Sequence, residues 1–400
     1  MRRIIFWIHL SAGCVIAAAI LFLSVTGCLL TYERQIVSWE ERGFRSTEQL
    51  MENRPSLDAL LAEAAAEKKA RPQSLTVFSR ADAPVVVSFG KKERLLLDRN
   101  SGRILGEGAV RTRQFFETVR SLHRYFGVEG ENRKIAKVVK GIFDLSLLGM
   151  IGTGLVLWVP GRWTKIQLRQ RAVLRGGLRG KAWFWNRHNT IGLWAAVPLT
   201  VIVLTGAAMS YTWVTRIIYW ATNSALPTVA AKEKTHKGGK RADRKEALAL
   251  VSLDQVFRSA AERSPGWQML EADVSRRSDK VVMIKADRSL GNRPDERSEM
   301  RFDRATGRIT GLEDFHSRSM GAKIRAMIHM VHTEEAGGIV GQTISGVASA
   351  CCSLLVLTGA WMSLERFRGW RLRSARLKTL LVLEEESEGS SFSTASSVEK

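Results

Sequence analysis

HLSAGCVIAAAILFLSVTGCLLTY, residues 9–32, and HNTIGLWAAVPLTVIVLTGAAMSY, residues 188–211, decide the fold. Each holds an apolar run of about 20 residues, enough to cross roughly 30 Å of hydrocarbon as a helix. Among the places where they agree are His9 and His188, Gly13 and Gly192, Thr26 and Thr205, Gly27 and Gly206, Tyr32 and Tyr211, all displaced by 179. An apolar helix repeated at one displacement is the mark of a tandem duplication.

Two more apolar runs complete the set. The spans are Leu10 to Leu30, Ile142 to Val159, Thr190 to Met209 and Ile339 to Met362. Thr153-Gly154 in the second returns as Thr358-Gly359 in the fourth, displaced by 205. The same displacement relates Leu97-Asp98-Arg99-Asn100-Ser101-Gly102-Arg103-Ile104 to Phe302-Asp303-Arg304-Ala305-Thr306-Gly307-Arg308-Ile309. Each half therefore reads span, soluble module, span. The expected fold class is an α+β membrane protein with four transmembrane helices in two tandem repeats. The expected segments are 1–32 (helix one), 33–112 (first module), 113–160 (amphipathic helix and helix two) and 161–187 (basic linker). They continue with 188–213 (helix three), 214–315 (second module), 316–364 (amphipathic helix and helix four) and 365–400 (tail).

Lys and Arg number 61 against 39 Asp and Glu, a net charge of +22. The apolar runs that interrupt this charge exclude a soluble nucleic-acid-binding protein. Between spans two and three, Arg162, Lys165, Arg169, Arg171, Arg175, Arg179, Lys181 and Arg187 occur with no acidic residue. Arg366, Arg368, Arg371, Arg373, Arg376 and Lys378 follow span four. The positive-inside rule then places both segments and both termini in the cytoplasm, with the two long connections outside. Trp7, Trp158, Trp163, Trp183, Trp185 and Trp361 are expected as an aromatic belt on the inner face. Cys14, Cys28, Cys351 and Cys352 all lie in apolar runs, which argues against a disulfide framework or a thiolate zinc site. Residues 1–28 also resemble a lipoprotein signal ending in Val25-Thr26-Gly27-Cys28. The repetition of this helix as span three argues for keeping His9 in the mature chain.

Within the modules, Ser56 to Lys69 and Asp254 to Arg263 read as helices with a capping start. Ser74 to Phe89, Met269 to Lys285 and Met300 to Thr310 carry strand patterns, and Asp98 to Gly102 reads as a turn. The linker Ala221 to Lys245 and the tail after Glu384 are polar, of a composition expected to lack fixed structure.

Seven histidines carry the functional argument. His9 and His188 sit near the cytoplasmic ends of spans one and three. His123 lies in the amphipathic stretch Phe115 to Phe126 before span two, and His329 and His332 lie in a similar stretch before span four. His236 and His316 read as surface residues. A lone imidazole at a helix end is most simply an interfacial anchor. Paired imidazoles at matched depth instead suggest axial ligands of a haem iron. Gly13 and Gly192, one turn beyond their histidines, leave room for a flat ring or serve close helix packing. Gly27 and Gly206, 18 residues on, return to the histidine's face about 27 Å away. They suit a second planar cofactor held by His123 with His329 or His332. The displacement of 205 carries His123 to Ile328, beside His329, whereas helical phase favours His332. Asp144 near the outer end of span two has Ser349 as its duplicate and no symmetric role.

At these residues the chain resembles the PepSY-associated transmembrane family of iron-regulated bacterial inner-membrane proteins. The marks are His-x-x-x-Gly followed by Thr-Gly in spans one and three, His332-Thr333-Glu334 before span four, and the two Asp-x-x-x-Gly turns. The resemblance covers roughly residues 1 to 370. It implies PepSY-like periplasmic modules and, in some members, ferric-siderophore reductase activity with two b-type haems between transmembrane histidines. His332 fits the family's pre-span pattern better than His329. The expected function is then electron transfer across the inner membrane from a quinol or cytoplasmic reductase to a periplasmic ferric chelate. Arg162 and Arg187 could pair with haem propionates or simply set topology. No Rossmann glycine pattern, Walker A motif or Cys-x-x-Cys-His appears, so nucleotide binding and c-type haem have no motif support. Two alternatives stand beside this reading: a PepSY-type binding module without redox activity, and a siderophore transporter.

Overall fold

The computed structural model describes residues 1–46, 54–90, 93–226, 250–275, 281–291, 293–333 and 337–396, with side chains up to Arg376. Residues 227–249, which include His236 and most of the expected polar linker, lie outside the described residues, as does Glu334. Among the described residues, four helices are long and apolar enough to cross a membrane: α1 (Arg2–Leu30), α5 (Arg133–Trp158), α7 (Gly180–Ser210) and α11 (Gly338–Ser396). Between them lie α2 (Glu33–Glu40), α3 (Leu57–Lys68), α4 (Val110–Tyr125), α6 (Lys165–Ala172), α8 (Thr212–Ala221), α9 (Leu253–Arg263) and α10 (Met320–His332). The protein is a membrane protein of mixed helix and sheet. The expected unstructured tail is instead a continuation of α11 as far as Ser396.

The chain divides into two compact units. The first comprises Met1–Val25, Leu145–Thr200 and Ala348–Lys400. Within it, Asn186 is 1% exposed and holds the connection after α6 to α7. Its amide donates to the carbonyls of Gln170 and Val173 at 2.9 and 3.0 Å, and its oxygen accepts from the Arg175 N–H at 3.0 Å. Thr190 donates to the Arg171 carbonyl at 3.1 Å, so the basic linker is bound to α7 rather than loose. The Arg171 guanidinium donates to the Trp158 carbonyl at 2.6 Å and satisfies an orphan acceptor at the end of α5. Among the aromatic residues, Phe184 stacks on Trp361 at 3.8 Å, and Arg366 lies over Phe6 and Trp7 at 4.8 and 5.0 Å.

The second unit, Thr26–Asp144 and Val201–Val347, carries an eight-stranded antiparallel sheet in the order β4-β3-β2-β1-β5-β6-β7-β8. Its strands are β1 (Ser74–Phe78), β2 (Val85–Ser88), β3 (Arg94–Leu97), β4 (Ile104–Gly106), β5 (Met269–Asp273), β6 (Val281–Asp287), β7 (Arg297–Asp303) and β8 (Ile309–Asp314). Segments 33–112 and 214–315 were expected as two modules. They meet edge to edge through β1 and β5, with Ser74 opposite Asp273 and Phe78 opposite Met269. Pairing the two inner edges satisfies main-chain groups that would otherwise be exposed. Alternating inward residues (Leu75, Val77, Val85, Val87, Leu270, Ala272, Ile284, Met300, Phe302) form one core with Leu57, Leu60, Leu253, Val256 and Phe257 of α3 and α9. The turns fall where the Asp-x-x-x-Gly spacing predicts. Gly102 and Gly307 adopt φ of 80° and 69°, and their N–H groups donate to the carbonyls of Asp98 and Asp303 at 3.0 and 2.7 Å.

Candidate functional site

Each of the four long helices contains one Thr-Gly step, and each step faces one histidine. In the first unit, His9 on α1 has Nδ1 at 2.9 Å from Thr153 Oγ1 on α5. His188 on α7 has Nδ1 at 2.9 Å from Thr358 Oγ1 on α11. The glycine that follows each threonine lies under the ring. A Cβ built on Gly154 would stand 3.3 Å from His9 Cε1, and one on Gly359 would stand 3.3 Å from His188 Cε1. The two imidazole centroids are 6.5 Å apart with their planes at 89°.

The second unit repeats the motif with the chemistry on α4 and α10. His123 Nδ1 lies 2.9 Å from Thr26 Oγ1, and His332 Nδ1 lies 3.1 Å from Thr205 Oγ1 and 3.0 Å from the Ile202 carbonyl. A Cβ on Gly206 would stand 3.1 Å from His332 Cε1. Each threonine thus orients the histidine of its own half of the chain.

The protonation of these rings follows from counting donors. A threonine hydroxyl has one proton. Thr153 donates its proton to the Gly149 carbonyl at 2.9 Å, Thr358 to Leu354 at 2.7 Å, and Thr205 to Val201 at 2.7 Å, the usual back-bond one turn earlier. These three hydroxyls can therefore only accept from the imidazole, which assigns the proton to Nδ1. The Ile202 carbonyl, an acceptor only, requires the same at His332. Nε2 is then the unprotonated nitrogen with a free lone pair, the atom a metal takes from a neutral imidazole. Burial, reinforced by the charge of Lys140, pushes His332 down to about 4, which keeps the ring neutral at pH 7.

The remaining candidates have other surroundings. Gly13 meets the Met150 methyl at 3.0 Å and Gly192 meets Leu355 at 3.6 Å from a built Cβ, so both are places where helices come close. Gly27 follows Thr26 on α1. His329 is exposed, three residues before His332 on α10, and its carbonyl accepts from the Thr333 N–H at 3.1 Å. His316 sits edge-on to Phe315 at 6.2 Å. Asp144 is buried and pairs with Lys140 at 2.7 Å.

Sequence reasoning found the histidines and the Thr-Gly repeats but did not join them. The signal was present: one Thr-Gly step in each span and one histidine near the start of each crossing. Lys140, whose charge acts on His332, was also missed. Among the described residues, no three His, Cys, Asp or Glu side chains converge as a metal cage.

A search of curated proteins finds no match. The family model described as the PepSY-associated TM region matches residues 6–377, nearly the whole chain. With four apolar helices, a mixed helix-and-sheet unit and four histidine–threonine contacts already in view, the chain belongs to the PepSY-associated transmembrane family.

Proposed function

We propose that this protein is a b-haem oxidoreductase of the bacterial inner membrane that passes electrons across the bilayer to a ferric chelate, such as a ferric siderophore, on the periplasmic side. His9 and His188 would hold one haem iron, and His123 and His332 a second. The bound haem supplies a one-electron couple at each position. The termini and the basic linker face the cytoplasm in this reading, and the sheet faces the periplasm.

The observation that carries the proposal is the shared state of His9, His188 and His332, each donating from Nδ1 and each leaving Nε2 as the nitrogen for a ligand bond, with His123 Nδ1 at 2.9 Å from Thr26 Oγ1. The inner pair also has a suitable spacing. A metal–imidazole bond of about 2 Å on each side, with roughly 1 Å from each nitrogen to its ring centre, sums to about 6 Å. The centroids stand 6.5 Å apart. Two imidazoles at this spacing, with no third His, Cys, Asp or Glu converging on them among the described residues, suit a porphyrin-bound iron better than a bare ion. The threonines act as outer partners that hold ring orientation and raise the basicity of Nε2.

The substrate class follows from iron chemistry and family membership. Ferric iron is a hard cation held by oxygen donors, and adding one electron weakens that hold, so reduction promotes release. The electron donor would be a quinol or a cytoplasmic reductase. An optical spectrum of the detergent-purified protein, oxidised and then dithionite-reduced with haem counted per chain, tests the reading. Two low-spin b-type haems are expected, one lost in His9→Ala and the other in His332→Ala. A colourless preparation from haem-supplied cells would overturn the proposal and favour a binding module.

A further inference from the structure

Lys140 and Asp144 sit one turn apart on α5 and form an ion pair at 2.7 Å, with side chains 9% and 11% exposed. Among the described residues no other ion pair has both partners so buried. The surroundings are built for it. Gly141 makes room for the Tyr211 ring, whose Cζ and Oη would lie 2.6 and 2.7 Å from a Cβ at that position. Ser210 Oγ approaches Asp144 at 3.5 Å while donating to the Gly206 carbonyl at 3.0 Å.

The pair is also close to a candidate ligand. A Cβ on Gly206 would be 3.1 Å from His332 Cε1 and 3.6 Å from Asp144 Oδ2, which holds the carboxylate within about 7 Å of the imidazole. The histidines are duplicated, but this pair is not: at the displacement of 205, Ser345 and Ser349 stand in place of Lys140 and Asp144. Buried ion pairs are weak contributors to stability, and apolar replacements of similar volume often do as well. An intramembrane pair without a structural need points to function.

We propose that the Lys140–Asp144 pair sets the electron affinity of the outer His123–His332 centre, making it differ from the inner His9–His188 centre. This rests on the haem reading above. The pair contributes two fixed and opposite charges whose effects on an electron arriving nearby largely cancel. Removing one leaves the other uncompensated in a poorly screened place. Lys140→Met leaves a carboxylate, which disfavours an added electron. Asp144→Asn leaves an ammonium, which favours it. Both are positioning residues acting through the field at the centre, since neither is offered as a ligand.

The test is a spectroelectrochemical titration of the purified, haem-loaded full chain, with the two b-type transitions identified by His9→Ala and His332→Ala. Lys140→Met is expected to lower the outer midpoint and Asp144→Asn to raise it. Each should change the one-electron equilibrium about tenfold, or about 59 mV, with the inner midpoint unmoved. Should the single variants fail to accumulate, Lys140→Asp with Asp144→Lys keeps a buried pair in reversed order and is expected to move the outer midpoint alone. Shifts of one sign in both single variants, equal shifts at both centres, or no shift in a haem-loaded variant overturn this inference and leave the haem reading standing. A wild-type chain without haem overturns both.

Discussion

Asp58 and Asp254 exchange caps. The Leu57 N–H at the start of α3 donates to Asp254 Oδ2 at 2.8 Å, and the Leu253 N–H at the start of α9 donates to Asp58 Oδ2 at 2.6 Å. Each helix also has its own serine cap, Ser56 to the Ala59 N–H at 3.2 Å and Ser252 to the Gln255 N–H at 3.3 Å. Two orphan donors at each N-terminus are thereby satisfied, one locally and one by the other helix, and each carboxylate sits at the positive end of a helix dipole. The exchange ties the two halves of the sheet together on the same side as their shared core.

Replacement of either aspartate therefore destabilises the whole sheet rather than one helix. Asp254→Ala is expected to cost about 1–2 kcal/mol, the usual range for a lost cap. Asp58→Ala should cost more, because Asp58 Oδ1 also accepts from Arg304 at 2.8 Å and that guanidinium is only 13% exposed. Thermal unfolding in detergent measures both. Equal midpoints for wild type and the two variants would show that the exchange contributes nothing.

The threonine hydroxyls give a second prediction. Valine keeps the shape and removes the acceptor, leaving a part-buried Nδ1–H without its partner, at a cost of about 1–3 kcal/mol. On the proposed haem reading, Thr153→Val should weaken retention of the inner haem about 10–100-fold, the range for loss of an outer partner. Thr205→Val and Thr358→Val should weaken retention less at their own centres, since His332 keeps the Ile202 carbonyl at 3.0 Å and His188 keeps the Leu355 carbonyl. Haem dissociation rates to apomyoglobin rank the three. The idea fails if Thr205→Val proves the most damaging, or if serine at these positions restores nothing.

Glycines along α5 separate space from helix propensity. Built Cβ atoms on Gly149 and Gly152 meet nothing within 4 Å, so alanine there should be neutral or stabilising by up to about 1 kcal/mol. Gly154→Ala presses the His9 ring from 3.3 Å and should tilt it, changing the spectrum of the proposed inner haem with little loss of stability. Gly141→Ala would place a methyl 2.6 Å from Tyr211 Cζ and must displace that ring, costing about 1–3 kcal/mol as overpacking. Thermal midpoints and reduced-minus-oxidised spectra of the four variants test the order. A Gly152→Ala variant as damaged as Gly141→Ala would contradict it.

The four helices and the strands were legible because both rest on local patterns, long apolar runs and alternating residues around Asp-x-x-x-Gly turns. The joined sheet was not. Ser74 pairs with Asp273, and nothing local in either strand names a partner so far away in sequence. The choice between His329 and His332 shows the limit of repeat arithmetic. His332 stands 209 residues after His123, whereas the landmarks on both sides keep 205. Four residues are about one helical turn, so the imidazole returns to the same face at a different count. The threonines read only as repeat landmarks for another reason: a threonine in an apolar helix ordinarily does no more than bond its own backbone. Only the fold shows the second bond.

Acid should loosen the sheet through Asp287. Its side chain is 2% exposed, and burial by itself raises a carboxyl. Hydrogen bonds from the Ser289 N–H at 2.7 Å and hydroxyl at 2.8 Å, joined by Gly291 and by Arg297 at 2.6 Å, outweigh that burial. The folded carboxyl therefore titrates below its ordinary value of 3.8. A depressed folded value means that the unfolded chain takes up the proton first. The contribution is then complete above the ordinary carboxyl range and is lost as pH falls toward the lower folded value. Asp287→Asn removes it at every pH. The variant should unfold more easily than wild type at pH 7, with the gap closing between about pH 5 and pH 2 as the native carboxyl becomes protonated. Paired thermal midpoints across that range decide the matter. A gap that stays constant down to the lowest pH would mean that Asp287 acts by packing and not by charge.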